Sequence, residues 1–375
     1  MKKVAVIGGG VSGVTFALET QEKCIVTIFE RENGLLLKLL KTGNGKANIY
    51  NRDIKLDAYN DQNFMVNHAL EIEKTLDAFF FKLGVLTYTD SEKRVYPYSR
   101  SASGLREYLL SLLKVKIKVN TNIDSVSKVN GQYLINGEYF DYVVLATGSG
   151  AGLSKYGLTN NNDPLLKSLN LERSALVPVI KTIAVKENLK VLNNRRADVM
   201  MTLWLDDKVL VKERGEVLFK RDGLSGIVSF IVSSYFEWAI QEQKDANYKV
   251  TLDLMPDHTS SDVLKIIKSK DDYPKVFAPF LVDYLMNLKD DNILKNVKAL
   301  NFTPVPFNYP ENSQAMSGGI KVREVANDFA HQKEVGLFIL GEVLNIDGIC
   351  GGYNLGFAIY SGIIASRSLL YKLSI

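Results

Sequence analysis

The sequence predicts an α/β protein: a Rossmann-like dinucleotide-binding domain interrupted by an inserted domain that is β-rich at first and helical afterwards. Three observations support this. The apolar run Val4-Ala5-Val6-Ile7 leads straight into Gly8-x-Gly10-x-x-Gly13 and an amphipathic segment, which is strand, tight turn and helix. Near the other end, the apolar run 337–340 stops at Gly341-Glu342, and the glycine turn Gly351-Gly352 precedes a helical pattern over 358–370. Between them, residues 151–312 hold no second glycine spacing of that kind and shift to alternating strand patterns and Lys/Asp-rich helices. The expected division is therefore 1–150 for the first part of the nucleotide domain and 151–314 for the insert. The insert should be β-rich over about 174–250 and helical over about 255–300, with 315–375 returning to the first domain.

Composition narrows the class. A chain of 375 residues with 46% hydrophobic and 23% charged content is a globular protein too long for one ordinary core. The formal net charge of +4 is small for this length and does not by itself argue for a nucleic-acid partner, which is not expected. Two cysteines, Cys24 and Cys350, make neither a disulfide framework nor a metal cluster, so no metal site is expected and the compartment should be reducing. Met1-Lys2-Lys3 before apolar residues imitates an export signal, but the apolar run breaks at glycines after four residues. No stretch is long and apolar enough to span a bilayer. A cytoplasmic protein without a membrane partner is expected.

Taken in order, the first glycine makes the turn, the second lets backbone approach a pyrophosphate, and the third lets the helix pack on its strand. The pyrophosphate would sit on free N–H groups at the helix start. A second strand, 24–29, ends in Glu30, at the offset where an acid meets the adenosine ribose. The segment 38–48, rich in Gly, Asn and Lys, has neither helical nor strand period and suits a loop laid along the cofactor. A helix is expected over 61–81 and another over 103–113 capped by Ser101. Segments 115–119, 123–129 and 132–135, with Asn130-Gly131 between the last two, should form an antiparallel meander. Strand 142–145 then delivers Ala146-Thr147-Gly148. In the insert, 155–170 is a loop, strands follow at 181–186, 199–205 and 208–219, and helices at 226–241 and within 259–299. A second glycine-framed helix start at the C-terminal end points to an elongated cofactor held at both ends, which favours FAD over NAD.

These blocks resemble a flavoprotein family of NAD(FAD)-utilising dehydrogenases that includes aminoacetone-oxidase-like proteins and bile-acid ring reductases, within the glutathione-reductase-type FAD superfamily. The resemblance runs through KLLKTGNGKANIYN at 38–51, RVYPYS at 94–99, VVLATG at 143–148, GEVLFKRDGLSG at 215–226, AMSGGIKVREV at 315–325 and GEVLNIDGICGGYNLGFAIYSG at 341–362. It implies that Gly8, Gly10, Val11, Ser12 and Gly13 hold the pyrophosphate, and Glu30, with Arg31 beside it, the ribose. Lys38, Thr42, Gly43, Asn44, Gly45, Lys46 and Asn48 would line the middle and flavin edge, and Thr147-Gly148 the adenosine side. Gly341-Glu342 would meet the ribityl chain, and Gly352, Tyr353, Asn354 and Leu355 the flavin pyrimidine. The chain departs from the family where Lys46-Ala47 replaces Arg-Cys, Asn44 and Ser149 replace glycines, and Lys220-Arg221-Asp222 precedes Gly223.

Hydride transfer at flavin N5 needs positioning and a proton source rather than a protein nucleophile. Tyr353 is the candidate proton donor, with packing as its other role. His68 is expected to be structural, Cys350 a buried apolar side chain, and Lys220 and Arg221 a solvated charge pair. The leading expectation is an FAD-dependent oxidoreductase acting on a small-molecule substrate, either as a reductase with NAD(P)H as transient electron donor or as an amine oxidase. A flavin-dependent RNA-modifying enzyme and a flavin-binding protein without turnover are the alternatives.

Overall fold

The computed structural model describes residues 1–149, 151, 164–306 and 313–374, which form two compact units. The first comprises Met1–Val177 and Ala315–Ile375; the second comprises Pro178–Gln314.

The first unit is built on a five-stranded sheet, all parallel, whose spatial order is Leu337–Ile339, Tyr142–Leu145, Lys2–Ile7, Cys24–Phe29 and Lys116–Lys118. Its centre is Val4, Ala5, Val6, Val143, Val144 and Leu145, which are fully buried. An apolar side chain removed from water on both faces of a sheet contributes about 1.5–3 kcal/mol, which is why these strands are continuous apolar runs. The helices Val11–Thr20 and Tyr353–Ser374 pack on each other against this sheet. A small antiparallel sheet, Tyr50–Asn51 with Arg94–Pro97 and Thr87–Thr89, lies beyond the Gly/Asn/Lys loop.

Four sequence expectations change here. Segment 115–119 does not enter the meander; Lys116–Lys118 pairs parallel with Cys24–Phe29 and closes the edge of the main sheet. The meander is instead Ser127–Val129, Gln132–Ile135 and Glu138–Phe140, turned at Asn130-Gly131 and again at Asn136-Gly137, with positive φ at all four turn residues. The helix expected over 61–81 is two helices, Gln62–Met65 and Ala69–Lys82, with a turn at 66–68 between them. Asp61 caps the first, accepting the Phe64 N–H at 2.9 Å. The C-terminal helix starts at Tyr353, five residues before the expected 358. Ser101 caps Ala102–Ser111 as expected, accepting from the Gly104 N–H.

At the turn 66–68, His68 points inward. It is 2% exposed, stacked on Phe329 at 5.2 Å, with Nδ1 3.3 Å from the Tyr360 hydroxyl. Burial lowers its pKa from 6.5 to about 4. The folded value lies below the unfolded one, so the unfolded chain takes up the proton first as pH falls. Stability present above pH 6.5 is therefore lost between about 6.5 and 4, by up to about 3 kcal/mol. Urea midpoints at neutral and acid pH should show this slope, and His68→Leu should lack it. An unchanged slope in that variant would contradict the assignment.

The second unit holds a six-stranded antiparallel sheet ordered Ile183–Ala184, Gly223–Ser225, Lys208–Lys220, Arg196–Leu205, Tyr248–Asp253 and Leu300–Phe302. Val199, Met201 and Leu203 alternate inward along one strand and meet Val228, Val232 and Phe236 of the helix Ile227–Glu242 in one core. Short helices at Ser260–Ile266, Pro279–Met286 and Ile293–Lys298 complete it. The segment 155–170, expected as a loop of the insert, holds the helix Pro164–Ser168, which belongs to the first unit; its earlier part falls outside the described residues. Among the described residues, no helix is long and apolar enough to cross a membrane.

Candidate cofactor site

The glycine turn at 8–13 is shaped by contact on one side and openness on the other. A Cβ on Gly8 would lie 2.2 Å from the Ala146 carbonyl oxygen, and one on Gly13 2.2 Å from the Gly8 carbonyl oxygen. Turn, helix and the strand end at 146 therefore close on each other through backbone alone. Gly10 differs, because a Cβ there meets nothing within 4 Å. It is the N-cap of the helix Val11–Thr20 and supplies no side-chain cap, and the first helical turn holds no acid. The leading N–H groups of an α-helix have no intrahelical partner, so they face the open side of Gly10 with the positive end of the dipole.

Glu30 sits beside this turn. Its Oε2 accepts the Gly9 N–H at 2.6 Å and its Oε1 the Glu32 N–H at 2.8 Å. Two backbone donors fix the carboxylate at the end of its strand and leave lone pairs for hydroxyl donors. Arg31 is exposed, with Nε 3.5 Å from the Glu32 carboxylate.

Residues more than three hundred positions apart meet on the other flank. A Cβ on Gly341 would lie 2.8 Å from the Ser12 Oγ, and the Gly341 N–H donates to the Ser361 Oγ at 3.1 Å. The next residue, Glu342, accepts from Lys38 Nζ at 2.7 Å and from the Met316 N–H at 3.3 Å. Gly148 is close by, since its Cβ would be 3.9 Å from the Glu342 Oε2. Thr147 next to it is exposed.

From Lys38 the chain winds through Leu39–Gly45, where Gly43, Asn44 and Gly45 all take positive φ. Such a run turns successive N–H groups toward one side, a concavity suited to anionic oxygens. Thr42 ties its hydroxyl to the Leu39 carbonyl at 2.7 Å, and Gly45 and Lys46 stay exposed. The loop then delivers Asn48 to the second glycine turn. A Cβ on Gly352 would lie 2.8 Å from the Asn48 Oδ1 and 2.6 Å from the Tyr50 carbonyl carbon. The helix Tyr353–Ser374 begins there, with the Gly352 carbonyl accepting the Gly356 N–H at 2.9 Å. The N–H groups of residues 353–355 precede the first intrahelical bond.

One expected role changes, that of Tyr353. The Tyr353 hydroxyl donates to the Asp53 carbonyl at 2.9 Å, and its ring meets Tyr59 edge-on at 5.7 Å. With its proton committed to a backbone oxygen, this phenol ties the turn in place rather than donating to a substrate. The Asn354 side chain clamps Gly348, accepting its N–H at 2.9 Å and donating to its carbonyl at 2.7 Å, so only its backbone serves the helix start. Cys350 lies in the same turn, and burial pushes its thiol up to about 11, which keeps it protonated at neutral pH. His331 accepts the Glu334 N–H through Nδ1 at 2.8 Å and acts as a loop tie. Lys220 reaches Asn194 at 3.2 Å and Arg221 is exposed. Reading the sequence missed Ser361, Tyr50 and Tyr96, whose ring edge lies 3.2 Å from where a Gly43 Cβ would be. None of these carries a spacing that marks it.

A dinucleotide with a flavin fits this arrangement on observations of the protein itself. The open side of Gly10 faces free helix N–H groups. At the far end the buried Asn48 Oδ1 has no hydrogen-bond partner among the described residues. A buried amide oxygen without a donor is costly, by about 1–3 kcal/mol, and calls for a ligand donor.

Comparison with known proteins agrees. The chain is 28% identical to a 3-dehydro-bile acid delta(4,6)-reductase of Clostridium scindens, over 98% of this chain and 99% of the relative. It is 23% identical to a ribosomal RNA dihydrouridine synthase of Haemophilus influenzae, over 97% of each. Among solved structures, a 3-ketosteroid delta1-dehydrogenase of Sterolibacterium denitrificans superposes with a TM-score of 0.52 over 99% of this chain and all of the other, at 10% identity, which shows a shared fold. The family model described as the HI0933-like protein Rossmann domain matches residues 2–368, and the chain belongs to that family.

Proposed function

We propose that this protein is an FAD-dependent oxidoreductase that saturates a carbon–carbon double bond conjugated to a carbonyl in an apolar small molecule. The observation that carries this reading is the end-to-end relation to a delta(4,6)-reductase of a 3-dehydro-bile acid. FAD, when bound, would supply the hydride, and water the proton that completes the saturation. The residues of this chain would bind and orient the cofactor. The N–H groups at the start of Val11–Thr20 would hold the pyrophosphate, and Glu30 would accept hydrogen bonds from the ribose hydroxyls. The Lys38–Glu342 pair would meet the ribityl chain. Asn48 would accept from a ring N–H, while the start of Tyr353–Ser374 would favour negative charge at the pyrimidine edge. NAD(P)H is the electron source in this reading.

The ribosomal RNA relative supports a second reading, in which the double bond belongs to a uracil base. It is the weaker one. That relative is more distant, and the net charge of +4 on 375 residues gives little electrostatic attraction for RNA.

The test is anaerobic reduction of the purified yellow protein with NADH or NADPH, followed by mixing with a 3-keto-4-ene steroid or with an unmodified ribosomal RNA fragment. Reoxidation of the flavin with a saturated steroid product is the expected result. Reoxidation by the RNA alone, with dihydrouridine formed, would replace the first reading with the second.

A further inference from the structure

Immediately after the Gly/Asn/Lys loop, the chain carries a polar cluster that makes none of the cofactor contacts above. The Arg52 guanidinium sets Nη1 and Nη2 on the two oxygens of Asp77 at 2.8 and 3.0 Å. Nη1 also meets Glu73 at 2.6 Å, and Nε donates to the Thr89 hydroxyl at 2.9 Å. The Tyr50 hydroxyl donates to the same Asp77. Asp77 and Glu73 belong to the helix Ala69–Lys82, whereas Tyr50 opens the two-residue strand Tyr50–Asn51. Burial alone would raise the Asp77 carboxyl, but the hydrogen bonds from Arg52 and Tyr50 outweigh it and hold the group below its usual value.

The side chains of Arg52, Glu73 and Asp77 are each partly open to water, so the ion pairs contribute little to stability. A two-pronged guanidinium–carboxylate pair with further donors on the same carboxylate fixes geometry instead. The geometry fixed here is that of Tyr50–Asn51, and this strand is the bed of the second glycine turn. A Cβ on Gly352 would strike the Tyr50 carbonyl carbon, and one on Gly356 would lie 2.9 Å from the Tyr50 Cβ. Asn51 Nδ2 donates to the Gly351 carbonyl at 3.0 Å, and the Tyr353 hydroxyl to the Asp53 carbonyl at 2.9 Å. The start of the C-terminal helix is thus held at three points by residues 50–53, which Arg52 and Tyr50 bolt to the helix Ala69–Lys82. The field of a helix terminus falls off within its first turn, so small displacements of that start change how well it holds charge on the ring beside it.

We propose that Arg52, Asp77 and Tyr50 are positioning residues that fix the start of the helix Tyr353–Ser374 against the flavin and thereby set the flavin's reduction potential. This rests on the cofactor placement given above. The test compares wild type with Tyr50→Phe, Arg52→Gln and Arg52→Lys. It measures the midpoint potential and visible spectrum of the flavin-loaded proteins, flavin affinity, and melting of the flavin-stripped proteins. Tyr50→Phe and Arg52→Gln should shift the potential to a more negative value and weaken flavin binding by about tenfold, while Arg52→Lys, which keeps the charge but loses the fork, recovers only part of the shift. A potential and spectrum identical to wild type in both Tyr50→Phe and Arg52→Gln would overturn the proposal, whatever the melting temperatures do. If Arg52→Gln does not fold, Tyr50→Phe decides alone, because it removes one oxygen and so frees the strand from Asp77 without emptying the packing around the ring. A wild-type protein that takes up no flavin would overturn the cofactor placement itself, and the positioning role with it.

Discussion

Gly10→Asp should leave a protein that folds as well as wild type and binds flavin at least about 100-fold more weakly, a loss of about 2.7 kcal/mol. The two halves of this expectation come from different facts. Gly10 has φ −70°, which any residue adopts, and a Cβ there meets nothing within 4 Å. It is also the uncapped N-cap of Val11–Thr20. Aspartate is among the best N-cap residues and places negative charge at the positive end of the helix dipole, so the flavin-stripped variant should gain from a few tenths to about 1 kcal/mol. The same carboxylate occupies the N–H groups on which a pyrophosphate would rest and repels its charge. Thermal melts of the stripped protein and flavin titration by fluorescence separate the two effects. Retention of wild-type affinity would show that the phosphates do not pass over Gly10.

Gly352→Ala should fail in the opposite way, by destabilising the protein itself. Gly352 has φ +104°, and its Cβ would lie 2.6 Å from the Tyr50 carbonyl carbon and 2.7 Å from its oxygen. These are backbone atoms of a strand held by Arg52, so nothing can swing aside. Backbone strain and overpacking together should cost about 3 kcal/mol or more. Flavin retention should fall with it, because the helix start is displaced. The control is Gly45→Ala, where φ is +80° but a Cβ meets nothing within 4 Å. There only the backbone term applies, about 1–2 kcal/mol. Equal losses in the two variants, read from denaturant midpoints, would mean that the Tyr50–Gly352 contact is not the tight one.

Much of the cofactor domain was legible because its devices are local. The turn at 8–13, the acid closing the second strand, and Gly351-Gly352 before the last helix each state their geometry within a few residues. The apolar runs at 4–7 and 142–145 likewise announce strands buried on both faces. The Asn-Gly turn at 130–131 marks a hairpin, because positive φ at two successive residues selects those side chains.

Only the tertiary structure decided which of these pieces meet. No periodicity tells that Lys116–Lys118 joins the parallel sheet rather than the meander, because a three-residue strand takes its partner from whichever edge is free. Nor does spacing reveal that Lys38 reaches Glu342 at 2.7 Å across 304 positions, or that Gly341 closes on Ser12. Nor did the continuous apolar pattern of 61–81 show the break at 66–68, where His68 joins a buried aromatic cluster. Tyr353 looked available for chemistry until its hydroxyl was seen on the Asp53 carbonyl. By itself, then, the sequence determined two glycine-framed helix starts and the acid that closes the second strand, because φ, ψ and capping are set by neighbours in the chain. Their union into one elongated site, and the Arg52 cluster behind it, was decided by long-range packing, which leaves no pattern in any short stretch of residues.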